Sequence, residues 1–352
     1  MTGRFSRRML LATFAMSALL PAGGALVPTA FAETKPSAAM DTVFSYLRSQ
    51  KTTGFLVIQD GKVIAERNWP APEDPMFKLF TYGPAADGSL LEDVASQQKS
   101  FVSVLVGVAI DKGLIDVDRP VSDYLGVGWT KAPPAAEHLI RVIDVLTMSS
   151  GLDEQFHLSH PAGTVFLYNT PVYATTKKIL EAATKMRIDA VTREWLTVPA
   201  GMKDTAWRKR PAAPIFAEAD NPTGLVTTPR DIATFGEMIL HDGVATNGNR
   251  IISSASLRAM FTRSANNPAY GRLWWLNGSS YTIKALSKRV EGPLIPAAPA
   301  DLVGALGALD RRLYVVPSLN LVVVRTGSMP ADADFDQQVW LRLMPALRTA
   351  AQ

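Results

Sequence analysis

The chain contains no cysteine in its 352 residues. That absence excludes disulfides, a thiolate nucleophile, lipid attachment through cysteine and sulfur-ligated metals. Histidine is scarce, with four in all. His157 and His160 lie three apart, but His-Leu-Ser-His has no acidic partner at metal-ligand spacing, so both read as surface or loop residues. His138 and His241 have no motif around them. An excess of one charge is also missing. Lysine and arginine number 36 against 32 acids, and Arg4, Arg7 and Arg8 fall in a segment expected to be removed. The remaining chain is close to neutral, which argues against a nucleic-acid partner. Charged residues make up only 19% of the chain while hydrophobic residues make up 47%. A disordered or collagen-like polymer is thereby excluded, and there is enough apolar side chain for one large or two smaller cores.

The first segment reads as an address. Ser6-Arg7-Arg8-Met9 opens an apolar stretch to Val27, and Ala30-Phe31-Ala32 supplies small residues at cleavage spacing. The paired arginines resemble a twin-arginine export signal, which carries folded proteins. Pro21 and Gly23-Gly24 interrupt the stretch and argue against a membrane span. Residues 1–32 are therefore expected to be a removed signal, leaving a periplasmic or secreted protein with no stable membrane anchor.

Beyond it, residues 41–50 predict a short amphipathic helix. The runs Gly54 to Ile58 and Val63 to Ala65 flank Asp60-Gly61, a strong hairpin signal. A second strand pair, Arg312 to Val316 and Leu321 to Arg325, brackets Pro317-Ser318-Leu319-Asn320. A helix from Asp332 to Leu343, stopped by Pro345, closes the chain. Tyr270 to Leu276 reads as a further strand. Between residues 100 and 265 the patterns are mostly helical, at Phe101 to Lys112, Ile140 to Met148 and Asp231 to Leu240. Strands at both ends with helices between them predict an α+β fold whose termini share one sheet. The expected parts are an α/β sheet domain of residues 38–105 and 266–352 and a mainly helical domain of residues 106–265. The basic triplet Arg208-Lys209-Arg210 reads as a solvated loop beside Trp207.

Ser96-Gln97-Gln98-Lys99 precedes the apolar run Phe101 to Ile110. This puts Ser96 in the first turn of a helix and Lys99 one turn on, on the same face. A lysine can take a serine proton only if burial or neighbouring positive charge lowers its pKa. The helix start also aims backbone N–H groups at a developing oxyanion. Such a spacing arises about once by chance in a chain of this size. A capping serine with a solvated lysine is thus the competing reading of this motif alone.

The wider set of landmarks resembles the serine hydrolases of the class C β-lactamase family, penicillin-binding-protein-like enzymes that include esterases and linear-amide hydrolases. The landmarks are Ala95-Ser96-Gln97-Gln98-Lys99-Ser100, the run Asp111 to Val121, Leu146-Thr147-Met148-Ser149-Ser150-Gly151-Leu152, Tyr168-Asn169-Thr170, Pro199-Ala200-Gly201-Met202, Tyr270 to Trp275, and the final hairpin. The resemblance implies a β-lactamase/DD-peptidase-like fold, an antiparallel sheet flanked by terminal helices plus an inserted helical domain. It implies Ser96 as nucleophile, Lys99 as base and Tyr168 as proton shuttle. Thr170 stands where the family's second motif has asparagine, and Asn169 is a candidate hydrogen-bonding residue beside it.

The third motif, Lys or His then Thr then Gly, falls on Leu302-Val303-Gly304 in one register and on Ala305-Leu306-Gly307 in the other. Both are apolar where the family carries a group that holds a substrate carboxylate. The second register is preferred, making Ala308, with Ser96, the oxyanion-hole amide; Ala305 is the alternative. Ala305, Leu306, Gly307 and Trp275 join Asn169 as expected substrate-binding residues, and one of Trp274 and Trp275 is expected in the core. The implied function is an exported hydrolase of a small ester or linear amide, with no metal and no cofactor. Two rivals remain: a β-lactamase or D-alanyl peptidase, and a non-catalytic penicillin-binding-like scaffold.

Overall fold

Strand β1 (Thr52–Gln59) alternates its side chains in the way a strand buried on both faces must. Phe55 and Val57 enter one hydrophobic core, whereas Leu56 and Ile58 enter the other. It turns into β2 (Lys62–Asn68) through Asp60 and Gly61, at φ 51° and 71°. Two successive left-handed residues make the tight hairpin turn whose twist suits antiparallel strands. The structure, a computed structural model, describes residues 38–210, 221–285 and 288–350; the expected signal, residues 1–32, lies outside the described residues.

The remaining strands are β3 (Thr81–Pro84), β4 (Leu90–Asp93), β5 (Ala206–Lys209), β6 (Thr223–Thr227), β7 (Trp275–Leu276), β8 (Tyr281–Ile283), β9 (Arg289–Glu291), β10 (Val303–Gly307), β11 (Arg311–Val316) and β12 (Leu321–Gly327). The large antiparallel sheet runs β2-β1-β12-β11-β10-β7, a smaller one runs β3-β4-β6-β5, and β8 pairs with β9. Val57 pairs with Val323, so strands from the two ends of the chain are neighbours.

Five helices are longer: α1 (Ala38–Ser49), α2 (Gln98–Asp111), α3 (Thr170–Thr184), α4 (Pro229–Leu240) and α5 (Phe335–Ala350), of which α3 packs on α2 and other helices rather than on the sheet. Val43, Phe44 and Leu47 of α1 and Trp340 and Leu343 of α5 pack on one face with Phe55, Tyr314 and Val323. Phe101 of α2 and Phe235 of α4, stacked at 3.9 Å, pack on the other with Leu313 and Val322. The result is an α+β fold with helices on both faces.

Several elements depart from expectation. Helix α5 continues through Pro345, because Ala346 and Leu347 beyond it are buried in the α1–α5 core and hold the last turn in place. Tyr270 to Leu276 is not one strand. Leu273 sits at φ 61°, the chain folds back so that Tyr270 bridges Trp275, and β7 is two residues long. The helix expected over Ile140 to Met148 shrinks to Val142–Leu146. Arg208 and Lys209 lie in β5 rather than in a loop, and Arg210 is buried.

Glu92 and Arg311 form an ion pair at 2.9 Å whose side chains are wholly buried. Glu92 also accepts from Thr53 Oγ1 and from Gly327 N. One carboxylate thus ties β4 to β1, β11 and β12. Removing one partner leaves the other's charge stranded, which costs about 3–5 kcal/mol. Chemical denaturation of Glu92→Leu should show a loss of that order, and the double variant Glu92→Leu/Arg311→Met should recover part of it.

Candidate active site

Strand β4 ends at Asp93, and the chain then makes a sharp turn at Ala95, which lies in the left-handed region at φ 51°. A non-glycine residue there is strained and must be held by its surroundings. The Ala95 N–H donates to Asp93 Oδ1 at 2.8 Å, and Arg210 Nε donates to Asp93 Oδ2 at 2.6 Å. The turn lifts Ser96 into a 3₁₀ turn, Ala95–Gln97, that leads into α2. Lys99 follows one turn later, so its amine comes back over the hydroxyl.

Lys99 Nζ lies 2.9 Å from Ser96 Oγ and 3.1 Å from Thr170 Oγ1. Its side chain is only 2% exposed. Burial, chiefly, and the charges of Arg210 and Lys177 hold its pKa well below the usual lysine value. Among the described residues no carboxylate pairs with it. The faces of Tyr168 and Tyr173, at 4.9 and 4.6 Å, favour the ammonium. Such contacts are weak beside full desolvation of a cation, and desolvation decides the direction.

Burial pushes the Tyr168 phenol up to about 12, while its hydrogen bond with Ser96 pulls the other way. Tyr168 is thus a neutral phenol near pH 7, able to donate a proton. Its ring stacks on Trp275 at 5.8 Å and meets Tyr270 edge-on at 6.2 Å. Trp275 is set by its neighbours in sequence. Ser100 and Ser103 of α2 donate to the carbonyls of Leu273 and Arg272 at 2.8 and 2.6 Å, and Trp274 is buried between Phe235 and Phe261.

On the opposite wall, β10 ends against the Ser96 turn. A Cβ on Gly307 would lie 2.2 Å from the Val94 carbonyl oxygen and 3.2 Å from Gln97 N. Only glycine permits this approach. Gly304 has no such neighbour, so the register that ends in Gly307 is the one beside the serine. Ala308 follows, exposed at the cleft. Arg311 Nη1 donates to the Ala308 carbonyl at 3.3 Å, and Arg325 Nη1 donates to the Leu309 carbonyl at 2.6 Å. These bonds brace a turn in which Leu309 and Asp310 both have positive φ.

Ser96, Tyr168, Trp275, Leu306, Gly307 and Ala308 line one cleft of about 800 Å³. Two expected substrate-binding residues do not. Asn169 caps α3: its Oδ1 accepts from Val172 N at 3.0 Å and its Nδ2 donates to the Leu152 carbonyl at 3.0 Å. With both ends of the amide engaged and the side chain buried, it offers nothing to the cleft. Ala305 is fully buried in the sheet, because strand alternation sends its side chain away from the face that Leu306 presents. Thr170, the neighbour of Asn169, reaches Lys99 instead. His157 is exposed, 3.3 Å from Asp153.

Arg210 and Lys177 were not legible as parts of this site. Arg210 resembles its exposed neighbours in a basic triplet, and Lys177 is an ordinary position in α3. Only the fold puts the first against Asp93 and the second against Asn221.

Chemically, an amine whose pKa burial lowers against a hydroxyl, a neutral phenol beside both, and a braced turn at Ala308 make an arrangement competent for acyl transfer.

The sequence pattern of a family described as Beta-lactamase matches residues 41–336. A 6-aminohexanoate-dimer hydrolase of Paenarthrobacter ureafaciens is 24% identical over 335 residues, covering 82% of this chain and 75% of the relative. Penicillin-binding protein 4 of Amycolatopsis lactamdurans is 25% identical over 209 residues, covering 47% of this chain and 55% of its own. Among solved structures, a class C beta-lactamase mutant superposes with a TM-score of 0.65 at 16% identity, covering 90% of this chain and 99% of that one. A penicillin-binding protein homolog from Caulobacter crescentus gives 0.62 at 15% identity, covering 89% and 97%.

If burial governs Lys99, its side chain should titrate well below the exposed lysines. A pH titration of the lysine ε-carbon resonances by NMR checks this: one lysine should still be neutral where the rest are charged, and Lys99→Met should remove that signal.

Proposed function

The chain belongs to the Beta-lactamase family of serine hydrolases, and on that premise we propose that it hydrolyses a neutral ester or linear amide through an acyl-enzyme on Ser96. One observation carries the reading: a desolvated Lys99 amine lies 2.9 Å from the Ser96 hydroxyl, with Tyr168 in the same cleft. Ser96 Oγ attacks the carbonyl carbon while its proton passes to the uncharged Lys99 Nζ. The carbonyl oxygen becomes an oxyanion facing the Ser96 and Ala308 amides. The bond to the leaving group breaks as that group takes a proton through Tyr168. Water then attacks the acyl carbon, giving up a proton by the reverse route, and releases the acid.

A β-lactam or D-alanyl peptide is the second reading. Both carry a carboxylate, and Leu306 and the buried Ala305 stand where the family's third motif would hold it. The 6-aminohexanoate-dimer hydrolase is named for a linear amide, which supports that bond type; the dimer itself ends in a carboxylate, so the preference for a neutral substrate rests on Leu306 and Ala305. A non-catalytic scaffold is the third reading. Buried placement of Lys99 opposes it, because a desolvated, unpaired amine costs stability and a chain free of catalysis has no need of it. Export belongs to the proposal as well, supported by the twin arginines Arg7-Arg8 and the small residues before Glu33.

A fluorophosphonate probe should label the protein and fail to label Ser96→Ala; undiminished labelling of the variant would sink the nucleophile assignment. The pH profile carries a second test. Activity requires uncharged Lys99, so it should rise with pH through the lowered lysine pKa and be on its plateau where ordinary lysines are still charged. Lys177→Met removes a cation that lowers that pKa, so its acidic limb should move to higher pH. Sequencing the N-terminus of exported protein should begin at Glu33.

A further inference from the structure

The cleft continues from Ser96 along the outer face of β10, and that stretch is walled by Trp275, Leu306, Pro293, Leu294, Ile295 and Pro296. The wall is built, not loose. Asn277, 1% exposed, donates from Nδ2 to the carbonyls of Ile295, Ala298 and Pro299 at 3.0, 3.2 and 2.9 Å. Its Oδ1 accepts from Ile295 N at 2.9 Å. Gln337 of α5 accepts from Ala297 N at 2.9 Å. A single buried amide and one helix thereby hold the loop that faces Leu306, which cuts the ordering cost of seating an apolar group there.

Charge along the same cleft points the same way. Glu291, Asp310, Asp334 and Asp336 line it against Lys284 and Arg312. Arg312 is already occupied: Nε and Nη2 donate to Asp336, Nη2 also to Asp310, and Nη1 to the Gly307 carbonyl at 2.8 Å. Lys284 stands exposed at the rim. A carboxylate on the substrate would leave water for an apolar wall and an excess of acids, and the one buried cation lining the cleft among the described residues, Arg312, is already bound to Asp336 and Asp310.

We infer that the acyl group this cleft accepts is an uncharged alkyl or aryl chain laid along Leu306, Leu294, Ile295 and Trp275, and that acyl groups ending in a carboxylate are rejected. The inference rests on the acyl-enzyme reading above and specifies its substrate class. Leu306 is the residue that sets the preference, since it is the β10 side chain that lines the cleft next to Gly307 and Ala308.

The test is a series of p-nitrophenyl esters, acetate, butyrate, pentanoate and hexanoate, with the mono-p-nitrophenyl ester of glutarate as the anionic counterpart of the pentanoate. If each added methylene is buried, kcat/KM should rise about threefold to fourfold per methylene. The glutarate ester should fall at least about tenfold below the pentanoate. Leu306→Lys should raise the glutarate-to-pentanoate ratio by about tenfold or more, because it returns a cation to the wall. A flat alkyl series, or a glutarate ester that matches or exceeds the pentanoate in the wild type, overturns the inference while leaving the Ser96 mechanism standing. Absence of Ser96-dependent hydrolysis of every ester overturns the mechanism and the inference together. The wild-type series decides even if Leu306→Lys fails to fold.

Discussion

An amine taken out of water with no carboxylate to receive it is the constraint around which this protein is arranged. In bulk water Lys99 would carry a proton and could take none from a serine. Burial against α3 and the aromatic rings of Tyr168 and Tyr173 removes the hydration that a charged amine requires. The Arg210 and Lys177 cations add to the effect without touching the reacting atoms. Asp93, at the end of the strand that leads into the Ser96 turn, is committed to Arg210, so it does not serve as a counter-ion that would restore the lysine charge. Withholding an acid is as much a part of the design as supplying the base.

Placing that amine correctly depends on the two carboxylates that end β4. Glu92 and Asp93 are adjacent, and strand alternation sends them to opposite faces. Glu92 meets Arg311, Thr53 and Gly327 of the large sheet. Asp93 meets Arg210 at the end of the small sheet and the Ala95 amide. The Ser96 turn is thus suspended between two sheets by a pair of buried ion pairs. Arg311 also holds the Ala308 carbonyl, so the same charge network that anchors the nucleophile turn braces the strand end facing it. Gly307 lets the two approach, since any side chain there would collide with the Val94 carbonyl.

Family membership and site composition then carry different information. The family supplies a sheet edge, a helix start and a serine–lysine pair. This chain departs from the pattern that the resemblance implies at Thr170, which lies against Lys99, and at Leu306 on the cleft wall. Thr170 keeps a hydroxyl within hydrogen-bonding distance of the amine, so the departure preserves a polar contact with Lys99 while shortening the side chain. Leu306 preserves nothing of the polar function of its position, and the backbone at Gly307 and Ala308 is unaffected by the exchange because an amide direction belongs to the strand, not to the side chain.

The hairpin at Asp60-Gly61, the strands on either side of Asn320 and the serine and lysine one helical turn apart were all legible in the sequence. Each depends on contacts within a few residues: left-handed turn residues, period-2 alternation and the pitch of a helix. The ordered landmarks pointed to Tyr168 and left two registers for the third motif; the close approach of Gly307 to the Val94 carbonyl is what separates them. What only the tertiary structure decided was set by contacts far apart in the chain. Helix α5 runs through Pro345 because α1, nearly 300 residues away, buries its far side. Asn169 is a helix cap rather than a substrate ligand because Leu152 and the α3 amides use both ends of its side chain. Arg210, indistinguishable in sequence from the two basic residues before it, becomes a buried partner of Asp93 because β5 delivers it there. Local pattern fixes which atoms a short segment can bring together, whereas desolvation, and with it the charge state of Lys99, is a property of everything packed around it.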